Sequence, residues 1–245
     1  MGQLAQFSAR MSNLTDMVDP DPDALTRKGR ATRDRIITCA AELILAGGFS
    51  RLSIESIRKA ASVSGSQMTH YFPGRDTLIR AVIAHQTQVV LDFHRQPALR
   101  GLDTFEDFDR WAALTLRFGR RNARTGPRPI YGALICEATS DQAARELVAD
   151  GYHQWHELLV AGLQRMKDHA DLVLGTDTAQ LASVLMSAHQ GADAFNVAFR
   201  RPWPVREALE FGINYLHMFA ADPADRLTLP LPHAKRRIRR HRSTR

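Results

Sequence analysis

A chain of 245 residues, 44% hydrophobic and 24% charged, has the composition of an ordinary globular protein and enough apolar material for one large or two small cores. No apolar run approaches the length of a membrane span, and the first thirty residues lack the apolar segment of a secretory signal. Only Cys39 and Cys136 are present, far apart and with no Cys-x-x-Cys spacing, which argues against a disulfide framework or a cysteine zinc site and suits a cytoplasmic location.

The net charge of +7 is unevenly distributed. Residues 1–26 carry −3, residues 27–80 carry +6, residues 81–233 carry −3 and residues 234–245 carry +7. A basic N-terminal module on a slightly acidic body is the asymmetry expected when the first part meets phosphate. Charge alone fits a solvated basic face equally well.

Residues 1–29, with Pro20, Pro22 and four aspartates, are expected to form a flexible leader, and Met11 and Met17 offer alternative starts. From Thr32, the spacing of Ile36, Ile37, Ala40, Leu43 and Ile44 predicts a helix with one apolar face, ended by Gly47-Gly48. Ser53 is placed to cap a short second helix carrying Ile54 and Ile57. Ser62-Val63-Ser64 then turns the chain into a third, through Met68 to Phe72. After Pro73-Gly74 a long helix is expected over 76–96. Further helices are expected over roughly 104–122, 129–139, 141–169, 177–199 and 204–220. No alternating segment demands a strand, so the fold expected is all-α. The tail from Lys235 has no apolar face and is expected to be disordered. The predicted organisation is a leader over 1–29, a DNA-binding unit over 30–75, a helical body over 76–222 and a basic tail over 223–245.

Three short helices in about forty residues, the last two joined by a tight turn, describe a helix-turn-helix between about Ser53 and Phe72. Gly65, Ser66, Gln67, Thr69 and His70 give its third helix a small, polar outer face, while Val63, Met68 and Phe72 form the buried side. Gln67 is the residue best equipped to specify a base, because its amide can pair with adenine in bidentate fashion. Tyr71 and Arg75 suit phosphate oxygens, and Ser53 at a helix start can present its hydroxyl and N–H groups to another phosphate. Arg27, Lys28, Arg30 and Arg33 make a basic arm able to follow the backbone or enter the minor groove. Each residue taken singly also fits an exposed polar position without a task. Their order and spacing together favour DNA.

From Thr32 to about Ala84 the sequence resembles the TetR/AcrR family of bacterial regulators. The resemblance rests on Thr32-Arg-Asp-Arg-Ile-Ile, Ala46-Gly-Gly-Phe, Ser53-Ile-Glu-Ser-Ile, Val63-Ser-Gly-Ser-Gln-Met and His70-Tyr-Phe-Pro-Gly-Arg-Asp-Thr-Leu. It implies a dimeric repressor with an N-terminal reading head and a helical body whose small-molecule ligand releases the operator. Three residues depart from the pattern. Ser62 stands at the usual glycine of the turn, where positive φ costs on the order of 1 kcal/mol. Arg58 stands at a usual alanine and is expected to snorkel outward or change the interhelix angle. Thr69 replaces a common tyrosine.

In the body, Trp111, Phe118, Tyr131, Trp155, His156, His189 and Asn196 are the candidate lining of a pocket for an apolar or amphipathic ligand, although aromatics in a bundle equally form plain core. The stripes Leu181, Val184, Leu185, Ala188 and Leu209, Ile213, Leu216, with small Gly191 and Ala192, suit a helix pair that joins a second copy. His153, His156 and Glu157 lack a metal motif. No catalytic set or cofactor site is found, so the chain is not expected to be an enzyme. The expected partners are double-stranded operator DNA, a second copy and an unidentified small molecule, with no membrane. A DNA binder without an inducer, or a helical enzyme or sensor that has lost operator binding, are the alternatives.

Overall fold

The computed structural model describes residues 25–47, 52–99, 101–125, 141–199, 203–224 and 226. Eight α-helices account for nearly all of them: α1 Arg27–Gly47, α2 Ile54–Ala61, α3 Gly65–Tyr71, α4 Arg75–Arg95, α5 Phe105–Thr125, α6 Gln142–Asp168, α7 Thr178–Phe199 and α8 Trp203–His217. A short 3-10 turn, Pro97–Leu99, links α4 to α5. Among the described residues there is no strand, only a single bridge between Leu172 and Ala220. The helix expected over 129–139, the tail and most of the leader lie outside the described residues.

Local chemistry sets most boundaries. The Thr26 hydroxyl accepts the Gly29 N–H at 3.1 Å, and this cap starts α1 at Arg27, five residues before the expected start. The four basic residues of the expected arm therefore lie in the first two turns of a helix. Ser53 caps α2 by accepting the Ser56 N–H at 3.0 Å. The helix closes with Val63 N–H on Arg58 O at 3.1 Å and Ser62 N–H on Lys59 O at 3.3 Å. This paired closure holds Ser62 in the left-handed region at φ 51, as the sequence requires of a serine at the usual glycine position. Arg58 turns outward and pairs with Glu55 at 2.7 Å. The extra stem is thus accommodated at the surface.

The long helices are tied at their ends. Asp141 caps α6 by accepting the Ala143 N–H at 3.0 Å and also binds Arg80 of α4 at 2.9 Å. At the other end of the body, Val173 N–H donates to Phe219 O and Ala221 N–H to Asp171 O, each at 2.8 Å, closing the end of α8 on the α6–α7 link. The apolar side chains form one continuous core from Ile36 in α1 to Leu216 in α8. α7 packs most extensively on α8, α4 on α6, and α6 on α7. α4 also packs on α1, so this single helix joins the small N-terminal helices to the body.

The loop 101–103 is clamped to α6. Leu102 adopts φ 48, the Arg165 guanidinium donates to Gly101 O, and Arg165 Nε lies 3.3 Å from Asp103 Oδ2. Gly162 permits this approach, since a Cβ there would overlap the Leu102 carbonyl. Replacing Gly162 by alanine should destabilise the protein by about 1–3 kcal/mol, the usual range for an overpacked core. A lower denaturant midpoint with an unchanged slope is the expected result, and an unchanged midpoint would show that the loop is not fixed against α6.

Candidate nucleic-acid interface

The N-terminal helices display a polar face because their apolar residues are used underneath it. Ile36, Ile37, Ala40, Ile57, Ala61, Val63, Met68 and Phe72 are all buried together. With Met68 and Tyr71 turned inward, the other side of α3 exposes Gly65, Ser66, Gln67, Thr69 and His70. Arg75, the first residue of α4, and Ser53 before α2 are exposed as well. Arg35 of α1 donates to Ala61 O at 2.8 Å, which fixes the end of α2 against α1.

Several candidate side chains are already engaged. Gln67 Oε1 accepts the Ser64 N–H at 3.0 Å while Gln67 N–H donates to Ser64 Oγ at 3.1 Å, a reciprocal cap on α3. Ser64-x-x-Gln67 is the sequence signal for this cap, and the expectation of a freely presented Gln67 amide passed over it. Ser66 Oγ lies 2.9 Å from Ser64 Oγ, and Thr69 Oγ1 donates to Gly65 O at 3.1 Å. Tyr71 is only 8% exposed, its hydroxyl seated against Gly29 and its ring 4.9 Å from that of His70. Arg30 remains exposed and donates to Leu25 O at 2.7 Å. Arg33 is half-buried with its guanidinium over the Phe72 ring at 5.3 Å, so part of its charge is spent on packing α1 against the end of α3.

Residues 36–82, the segment that builds this face, match the family model of bacterial regulatory proteins of the tetR family. The match covers this segment alone, so the likeness to the tetR family is a likeness of the N-terminal helices. The HTH-type transcriptional regulator UidR of Escherichia coli is 29% identical over 75 residues, 31% of this chain and 38% of UidR. The match thus spans about two fifths of that relative. Solved structures extend the likeness to the body as fold alone. The regulatory protein TetR from Rhodobacter sphaeroides superposes with a TM-score of 0.66 at 19% identity, covering 75% of this chain and 98% of its own. Salmonella enterica GusR gives 0.61 at 21%, over 78% and 96% respectively. UidR and the Rhodobacter sphaeroides protein are regulators by name. Among the described residues, no helix is long and apolar enough to cross a membrane.

In the helical body, the structure gathers four candidate lining residues around a fifth that the sequence did not single out. His94 of α4 is 6% exposed. Its Nδ1 lies 2.7 Å from Val90 O, and its Nε2 accepts Trp111 Nε1–H at 3.0 Å and Trp155 Nε1–H at 2.8 Å. His189 meets Trp155 edge-on, with centroids 5.6 Å apart, and Phe118 packs on Phe93 at 4.7 Å. The tryptophans themselves are 0% and 3% exposed. His156 turns instead to α7, its Nε2 3.1 Å from Ala179 O and 3.0 Å from Ser183 Oγ. Tyr131 and the side chain of Asn196 lie outside the described residues.

Burial pushes His94 from 6.5 down to about 4, helped by repulsion from His189 and opposed by the bond to Val90 O. Burial lowers His189 as well. The His94 ring is therefore neutral at physiological pH, protonated on Nδ1 and free to accept on Nε2. A histidine depressed in the folded state stabilises the protein fully above its unfolded value and loses that contribution as pH falls through the folded value. The stability should accordingly drop by about 3 kcal/mol between pH 6.5 and 4 through this residue. Denaturant unfolding across that range should be steeper in pH for the native chain than for His94→Gln, which keeps an acceptor without titrating. Parallel curves would remove His94 as the cause.

Proposed function

We propose that the chain is a transcriptional repressor that binds an inverted-repeat operator as a dimer and is released by a small molecule held in its helical body. The observation that carries the DNA reading is the polar face of α3, with Ser66, Gln67, Thr69 and His70 exposed above a packed apolar base. A short rigid helix presenting small polar side chains fits the major groove. Arg75 and Arg30 flank it as phosphate contacts and Ser53 borders the same side, while Tyr71, buried with its hydroxyl against Gly29, belongs to the packed base beneath it.

A second copy is supported by the outer face of α7 and α8. Phe195 and Phe211 are 58% and 53% exposed, and a groove beside Phe195 is lined by Ala188, Gly191, Ala192 and Ala208. Large exposed aromatics beside small residues are the composition of a helix–helix interface. The ligand reading is supported by buried polar atoms that make no hydrogen bond among the described residues. Among them, in the helical body, are His85 Nε2, both amide atoms of Gln86, Thr115 Oγ1 and His189 Nδ1. Buried polar groups are normally paired, so unpaired ones suit a bound molecule. The filled His94–Trp111–Trp155 cluster favours a second reading, a DNA binder without an inducer. Thermal shifts with a small-molecule library separate the two.

Selection of genomic fragments at near-physiological salt should enrich one inverted repeat, with half-sites about 34–36 Å apart or a multiple of that. Salt-sensitive recovery of unrelated fragments would overturn the repressor reading. Arg75→Ala should weaken binding to all sequences alike and reduce the salt slope by about 1. Phe211→Glu should convert the dimer to a monomer in sedimentation, and an unchanged mass would move the interface elsewhere.

A further inference from the structure

The amide of Gln67 is oriented by the cap it makes. The Ser64 N–H can only donate, so the atom 3.0 Å from it is Oε1. Its Nε2 makes no hydrogen bond among the described residues, on a side chain that is exposed. Neighbouring hydroxyls are used locally, Ser66 with Ser64 and Thr69 with Gly65. The start of α3 thus offers the outside two donor hydrogens from Gln67, while the acceptor of the same amide is committed to its own helix.

We infer that Gln67 reads guanine in the operator as a donor-only contact, in place of a bidentate pair with adenine. This inference rests on the operator binding proposed above. In the major groove guanine shows two adjacent acceptors, N7 and O6. Adenine shows N7 beside the N6 donor, thymine one acceptor and a methyl group, and cytosine only a donor. The two hydrogens of Nε2 meet acceptors at both positions of guanine. At adenine one of them faces another N–H. A bidentate adenine contact would have to draw Oε1 away from the Ser64 N–H or divide it, leaving the first turn of α3 less well capped.

The test is selection from a randomised duplex library with the full-length protein and with Gln67→Glu. Glutamate keeps an acceptor for the Ser64 N–H and replaces the outward donor by a second acceptor, which suits the cytosine N4 amine. The native protein is expected to enrich guanine over adenine about tenfold at one position of each half-site. Gln67→Glu is expected to retain the rest of the repeat and turn that position to cytosine. The added negative charge lowers affinity for every sequence, so base preference is the readout. Gln67→Ala, which removes cap and donor together, should leave that position without preference, and it serves as the reporter if the glutamate variant does not fold. Adenine selected by the native protein, or the same base selected by both proteins, overturns the inference while leaving operator binding intact. Failure of the native protein to enrich any repeat overturns both.

Discussion

One nitrogen holds the body together. His94 Nε2 receives two indole N–H groups, from α5 and from α6, and an indole can only donate. The ring must therefore leave Nε2 unprotonated and carry its proton on Nδ1, where Val90 O lies within reach. A charged ring would offer no acceptor, and both buried indoles would lose their partner, at roughly 1–3 kcal/mol for each stranded group. The interaction thereby fixes the tautomer and orientation of His94. It also sets how far α5 and α6 stand from α4. The same burial lowers the pKa of the nearby His189.

α4 carries this constraint to the other half of the molecule. Its register with α6 is constant, since Arg80 meets Asp141 and His94 meets Trp155, each pair sixty-one residues apart. The two helices therefore run parallel, pinned once near the N-terminal domain and once deep in the body. At 1.5 Å per residue, the 21 residues of α4 span about 30 Å. Arg75 begins the helix next to α3, and His94 stands one residue from its end. A rearrangement around the tryptophans has a stiff element through which to reach the side proposed to meet DNA, since α4 has no glycine or proline between Arg75 and Arg95.

Much of the helical layout was legible because it depends on short-range chemistry. Ser53, Pro73-Gly74 and Asp141 act through their own neighbours, and the boundaries they signal agree with the structure to within a residue or two. The positive φ at Ser62 and the outward course of Arg58 were legible for the same reason. The Thr26 cap gives α1 an earlier start than the apolar period from Thr32 predicts, which makes the expected basic arm part of a helix. His94 could not be found from periodicity, because a polar residue on a buried stripe is intelligible only through partners 17 and 61 residues away. The sequence marks Trp111, Trp155, Phe118 and His189 as candidate lining of a pocket, whereas the sharing of one acceptor by the two indoles is a tertiary fact.

The reading head shows how capping and recognition compete for the same atoms. A helix of seven residues leaves four N–H groups at its start, a large share of its backbone donors, so it depends heavily on its cap. Ser64 and Gln67 supply that cap, and in the proposed function Gln67 also stands where the helix would meet base edges. A side chain that stabilises its own helix start is already ordered before contact and has less rotamer freedom to lose. The cost is a restricted vocabulary, because the bonded oxygen is withheld from recognition. Arg33, a candidate DNA contact in the proposed function, shows the same economy in α1, since its guanidinium packs on Phe72. In a domain this small, one side chain often has to serve both the fold and the ligand. The base preference of α3 is then partly a consequence of how the helix is begun.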